Sequence, residues 1–230
     1  MGLKINEKKT QILTISSARN ENIAWIKHKD GSVMYSANEL KLLGFVFNSK
    51  PNVNSQVDHI INKASCRSFV LRNLASQSSN KCKLKNVYCA VIRSVLVYSS
   101  VTFGPMLAQY QKNRIENIQK RCLRSIFGFD KAYPELLEES GLVTLEERRN
   151  NAIKKFAEKA SRNPQFLHWF PKNVNRLSQR ISKSYEEKFA KSDRLYFSPL
   201  YTMRRILNES PNTRTSNPEI VDLSHLFNQP

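Results

Sequence analysis

The sequence predicts an α+β fold, mostly α, on three observations. Short β-type runs and turn signals fill the first fifty residues, whereas from Asn54 to Asn163 apolar residues recur at three- and four-residue steps. Helix-capping and helix-breaking residues fall where those steps begin and end. The expected organisation is a small antiparallel β segment at 1–52, an α-helical bundle at 53–163, and a loosely structured extension at 164–230 with a short helix near 199–208.

The elements follow in order. Gln11-Ile12-Leu13-Thr14-Ile15 and Asn22-Ile23-Ala24-Trp25-Ile26 are strand-like. Asp30-Gly31 carries a turn signal, and Val33-Met34-Tyr35 follows it. Leu40 to Phe47, apolar around Gly44, reads as another short strand that Pro51 ends, and together these runs predict one small sheet. Val57, Ile60, Ile61, Ala64, Leu71 and Leu74 then share one helical stripe. Leu84, Val87, Tyr88, Val91, Ile92 and Val95 form a second, and Ile115, Ile118, Cys122 and Ile126 a third, closed by Gly128. Pro134 opens a short helix that Gly141 closes, and Thr144-Leu145-Glu146-Glu147 is a capping-box signature for a helix carrying Leu145, Ala152, Ile153, Phe156 and Ala160. Beyond Pro164 the pattern weakens; Ser198-Pro199-Leu200 with Tyr201, Met203, Ile206 and Leu207 predicts a last short helix. Pro211, Pro218 and Pro230 mark a loose tail.

Charge is the strongest compositional signal. The chain of 230 residues carries 37 Lys+Arg against 19 Asp+Glu, a net charge of +18. Residues 1–110 hold 15 basic and 5 acidic side chains, so the excess is densest there. Such a chain attracts polyanions, of which nucleic acid is the commonest large one. No run approaches the ~20 apolar residues of a membrane span, and no signal-peptide core follows Met1. The expectation is an intracellular protein, cytoplasmic or nuclear and not secreted, with no membrane partner and no small-molecule substrate. Cys66, Cys82, Cys89 and Cys122 lack close-spaced pairs and lie far from the four histidines, so free buried thiols are expected rather than a metal site.

Six stretches, in order, carry a resemblance. These are Gly2-Leu3-Lys4-Ile5-Asn6-Glu7-Lys8-Lys9-Thr10, Leu40-Lys41-Leu42-Leu43-Gly44-Phe45, Ile60 to Leu74, and Tyr88 to Pro105. They continue with Ile115-Glu116-Asn117-Ile118-Gln119-Lys120-Arg121-Cys122-Leu123-Arg124 and Leu142-Val143-Thr144-Leu145-Glu146-Glu147-Arg148-Arg149. Their order resembles the part of a non-LTR, LINE-type (jockey-like) retrotransposon reverse transcriptase that follows its catalytic centre. The first two look like polymerase motifs D and E, the second being the primer grip, and the rest look like the helical thumb. The resemblance covers Gly2 to about Asn163, with an echo in Ser198 to Asn208.

The resemblance implies a palm remnant at 1–52 and a thumb-like domain at 53–163. It also implies that the polymerising site is missing. That family holds two Mg²⁺ ions on an aspartate of motif A and an [FY]-x-D-D turn. Here Asp30, Asp58, Asp130, Asp193 and Asp222 stand apart, and none precedes motif D. No cofactor and no catalytic residue is expected in this chain, and Lys9, which matches the motif D lysine, reads as a solvated lysine without the metals.

The expected partner is an RNA–DNA or RNA duplex, gripped through its backbone. Lys9, Lys63, Arg67, Arg72, Lys120, Arg121 and Arg124 are the candidate contacts, with Arg93 placed opposite its own apolar stripe; a solvated helix face is the alternative for each. Gly44, Arg148 and Arg149 are read as structural, Arg149 beside the apolar stripe and paired with a carboxylate. Trp25, Trp169, Phe166, Phe170, Tyr196 and Phe197 could stack bases but read first as packing groups. A stand-alone nucleic-acid-binding module and a helical protein-interaction scaffold are the competing functions.

Overall fold

The computed structural model describes residues 10–16, 25–27, 31, 33–50, 52–173, 184–187 and 189–209. The fold class is α+β, mostly α. The chain forms two compact units, Met1–Arg149 and Asn150–Pro230.

The first unit opens with two separate two-stranded antiparallel sheets rather than the single sheet expected. β1 (Trp25–Lys27) pairs with β2 (Val33–Tyr35), and β3 (Glu39–Leu42) with β4 (Phe45–Asn48). Leu40 to Phe47 is therefore two strands, not one, because the chain reverses at Leu43-Gly44. Both turn residues take positive φ, 50° and 80°, as a two-residue turn of type I′ requires. Glycine reaches that region freely and leucine does not. The hydroxyl of Tyr98 donates to the Leu43 carbonyl at 2.5 Å, which holds the turn from outside. Ile12 bridges Ser36 in parallel, and the amide of Ser16 donates to the Ser49 carbonyl, so residues 10–16 lie along the strand region.

Helices make the body of this unit. α1 (Asn54–Gln77) buries Val57, Ile60, Ala64 and Leu71 as expected, while Leu74 is exposed. α2 (Lys81–Val87) starts with Asn80 accepting from the Lys83 amide and runs on through a π-helical stretch, Tyr88–Arg93, into α3 (Ser94–Leu96). The π stretch reaches five residues back for its hydrogen bonds and shifts the helix phase. Leu84, Tyr88, Ile92 and Val95 of the expected stripe are buried, and Leu96 with them. Val91, expected on the stripe, faces out, and Arg93, expected opposite it, is buried with Nη1 3.7 Å from Cys89 Sγ. Ser99, in left-handed conformation, bends the chain into α4 (Ser100–Phe103) and a 3₁₀ turn, Gly104–Met106.

α5 (Gln109–Phe127) buries all four residues of its predicted stripe and adds Gln111, Gln119, Leu123 and Phe127. Gly128 ends it at a φ of 124°. α6 (Tyr133–Ser140) has Pro in its first turn and a left-handed Gly141 after its end, and Lys85 Nζ donates to the Ser140 carbonyl at 3.2 Å. α7 (Leu145–Arg162) follows Thr144, whose hydroxyl accepts from the Glu147 amide at 3.1 Å. Of the four thiols only Cys122 is fully buried; Cys66 and Cys82 are exposed, contrary to expectation, because they fall outside the stripes of α1 and α2.

In the second unit Ile153, Ala157 and Ala160 are buried, whereas Phe156 is 37% exposed. A 3₁₀ helix, Pro164–Trp169, begins after Asn163, whose side chain accepts from the Gln165 amide. α8 (Asp193–Tyr196) is capped by Ser192, and α9 (Pro199–Glu209) starts on proline and buries Thr202, Met203 and Leu207. Arg204 Nε donates to the Trp169 carbonyl at 2.8 Å.

No single helix among the described residues is long and apolar enough to cross a membrane.

Candidate nucleic-acid interface

α1 and α5 lie side by side, and polar contacts align them. Asn54 Oδ1 accepts from Gln111 Nε2 at 2.6 Å and from the Tyr110 hydroxyl at 3.1 Å. One turn on, Arg114 pairs with Asp58 at 2.8 Å. Beyond that pair a groove of about 480 Å³ opens between the helices, lined by Ile61, Asn117 and the cations Arg114, Lys120, Arg121 and Arg124. Among the described residues no carboxylate lines it. Lys120 and Arg124 are half-buried and Arg121 is exposed. The Nε of Arg124 is buried without a hydrogen-bond partner, an unmet donor beside a positive groove. An anion arriving there would satisfy it and neutralise its neighbours.

A second basic cavity, of about 370 Å³, lies where the β3–β4 turn meets the helices. His59, Lys63 and Arg67 enter it at four-residue steps along α1, opposite Ser94 and Tyr98, with Gly44 closing one side. Arg67 is partly engaged, since its Nη1 donates at 2.6 Å to the Val91 carbonyl within the π-helical stretch. Burial, and then the charges of Lys41 and Lys63, hold the imidazole of His59 below its ordinary value. A like-charged setting of that kind is one an anion would relieve.

The residues read from the sequence thus separate. Lys120, Arg121 and Arg124 come together in the groove, and Lys63 and Arg67 in the second cavity. Arg72 is exposed and lines neither. Its charge and that of Arg121 partly offset the burial that pushes the Cys122 thiol up to about 12, so this thiol stays protonated and inert. Lys9 and nearly all of the motif around it lie outside the described residues. Arg114 and His59 escaped the sequence reading. Arg114 carried a usable signal, standing seven residues before Arg121 on the same helical face.

Behind the groove a buried polar network fixes α5, α6 and the start of α7. The Tyr88 hydroxyl donates to Gln119 Oε1 at 2.6 Å, and Gln119 Nε2 donates to the Tyr133 hydroxyl at 2.9 Å and the Val143 carbonyl at 3.0 Å. The Tyr133 hydroxyl in turn donates to Glu116, whose two oxygens also accept from the Leu145 amide at 3.2 and 3.1 Å. Burial raises the pKa of both tyrosines, and the hydrogen bond to Glu116 adds to that at Tyr133.

Arg149 is 2% exposed, yet its Nη1 and Nη2 have no hydrogen-bond partner. The carboxylate pair expected for it is absent, because Glu116 serves Tyr133 and Leu145 while Glu146 pairs with Lys112 at 2.6 Å. Both carboxylates act on it only through space, against the burial that lowers its pKa. Arg148 is exposed.

The aromatics also divide: Phe170 is buried, Phe166 stacks obliquely on Trp169, and Tyr196 and Phe197 are about half-exposed. Among the described residues no group of three His, Cys, Asp or Glu is placed to hold a metal ion. Comparison of the chain with protein-family models, with curated proteins and with solved structures finds no match.

Proposed function

We propose that this chain binds a nucleic-acid duplex in the groove between α1 and α5, as the C-terminal part of a LINE-type reverse transcriptase. It grips the backbone without reading sequence and does not polymerise alone. The observation that carries this reading is the convergence of Arg114, Lys120, Arg121 and Arg124 on one groove that no carboxylate lines among the described residues. Four cations along one helical face match a line of phosphates, and such contacts position a duplex without specifying its sequence. The ordered motifs from Gly2 to Arg149 support the family assignment, and the separated aspartates support the loss of catalysis. The same reading puts the protein inside the cell, in the cytoplasm or nucleus.

Charge alone would make any basic surface a weak binder, so the test compares surfaces. In fluorescence anisotropy with an RNA–DNA hybrid at low salt, Arg114→Ala/Arg121→Ala/Arg124→Ala should weaken binding by ~10-fold or more. Lys154→Ala/Lys155→Ala/Lys159→Ala, which removes the same charge from exposed positions of α7, should weaken it far less. Equal losses would show that net charge, and not the groove, does the binding.

A further inference from the structure

The second unit holds a small cavity, of about 250 Å³, that the duplex groove does not involve. Phe189, Tyr196 and Tyr201 line it, with Ala190 and two charged groups, Glu187 and Arg205. Surface rings normally turn inward to pack, but Phe189 is 88% exposed here. The surroundings are built rather than loose. Asn208 of α9 accepts from the Tyr185 amide at 2.9 Å and donates to the Tyr185 carbonyl at 3.1 Å and to Glu187 Oε1 at 2.7 Å. These bonds tie residues 185–187 to α9, the helix that also supplies Tyr201 and Arg205. Across the cavity the Arg205 guanidinium stands 4.4 Å from the centre of the Tyr196 ring, and Phe197 meets that ring edge-on at 5.0 Å.

Charge selects among occupants. An ammonium ligand, which aromatic rings attract, would meet the charge of Arg205. A phosphate or carboxylate would meet that of Glu187. A flat, neutral, polarisable ring meets neither obstacle: it stacks on aromatic faces and on a guanidinium plane, and its edge amino groups can donate to a carboxylate. The volume falls below the ~300 Å³ at which drug-sized pockets begin, which suits one ring system. We propose that this cavity is a stacking slot for one unpaired nucleobase of a single-stranded nucleic acid, with Phe189 and Tyr201 as its platform. The inference rests on the nucleic-acid reading above and adds a single-strand contact to it.

Anisotropy on the full chain at one fixed salt tests the slot, with two labelled probes of about twelve nucleotides. One is a single-stranded RNA and the other an abasic sugar–phosphate strand of equal length and charge. The base-bearing strand should bind tighter. Phe189→Ala should lose ~5-fold or more on it, nothing on the abasic strand, and Phe189→Trp should restore the difference. At so exposed a position the fold is not at risk. If the two strands bind alike, or Phe189→Ala leaves the base-bearing strand unaffected, the slot is wrong while the duplex groove stands. If the chain binds neither strand nor an RNA–DNA hybrid at low salt, the nucleic-acid reading itself fails.

Discussion

The strand region at 10–50 and the helical body from α1 to the start of α7 share one compact unit but are held by different means. Side chains of the body such as Ile92, Phe103, Ile115 and Leu123 are fully buried in one continuous core. In the strand region, Trp25 is 60% exposed, Tyr35 65% and Leu43 of the β3–β4 turn 85%. The β3–β4 hairpin is joined to the body by specific interactions: the Val46 amide to Gln56 Oε1 at 2.9 Å, Asn48 Nδ2 to the Ser55 hydroxyl at 2.9 Å, Phe45 against Phe103 at 6.2 Å between ring centres, and the Tyr98 hydroxyl on the Leu43 carbonyl. Burial of apolar area scales with stability and single hydrogen bonds contribute little each. The helices therefore carry the stability of this unit, and the strands depend on them.

The largest effects should follow from the core. Leu123→Ala should cost about 2–5 kcal/mol in urea denaturation, while Tyr35→Ala should stay within about 0.5 kcal/mol. Comparable losses at the two positions would erase the contrast. Next comes the polar network. Glu116→Ala removes the acceptor of Tyr133 and Leu145 and a negative charge that acts on Arg149. It should destabilise by about 2–3 kcal/mol; a near-neutral result would mean that the buried guanidinium finds water or another partner.

Smaller changes sharpen the boundary. Tyr98→Phe should cost about 1 kcal/mol and speed amide exchange at Phe45–Asn48 without affecting Leu84–Val97. Uniform protection across strands and helices would contradict the division. The smallest effect concerns His59. Its pKa is lowered in the folded state, so below 6.5, its ordinary value, the unfolded chain takes up the proton first. The contribution is intact above that pH and is lost as pH falls toward the folded value. His59→Gln should flatten this part of the stability profile, and a variant parallel to the wild type would remove His59 as its source.

The same contrast governs how much is legible in the sequence. α6 is the most readable, because Pro134 and Gly141 bracket it, while α5 is carried by its spacing and closed by Gly128 and α7 announces its start at Thr144. The β3–β4 turn is not readable, since Leu43 stands where Asn or Asp would announce a type I′ turn, and its conformation is held by Tyr98, fifty-five residues away. Arg93 and Val91 fall on unexpected faces because spacing rules assume an α-helix, and a π-helical stretch moves both. Lys120, Arg121 and Arg124 can be put on one face, but the groove they line needs Ile61 of α1 as its other wall, and periodicity says nothing of which helices meet. The aromatic cavity is invisible for a related reason: Phe189 and Tyr201 are twelve residues apart, and Asn208 brings their segments together.

A duplex held by its phosphates in the α1–α5 groove releases its counterions, so its affinity must fall with salt. The most direct test is the affinity for an RNA–DNA hybrid across a series of salt concentrations. The logarithm of the binding constant should fall linearly with the logarithm of salt, and Arg121→Ala/Arg124→Ala should make the slope shallower by about 2, one for each phosphate left without its cation. No binding at low salt, or an affinity indifferent to salt, would contradict the account.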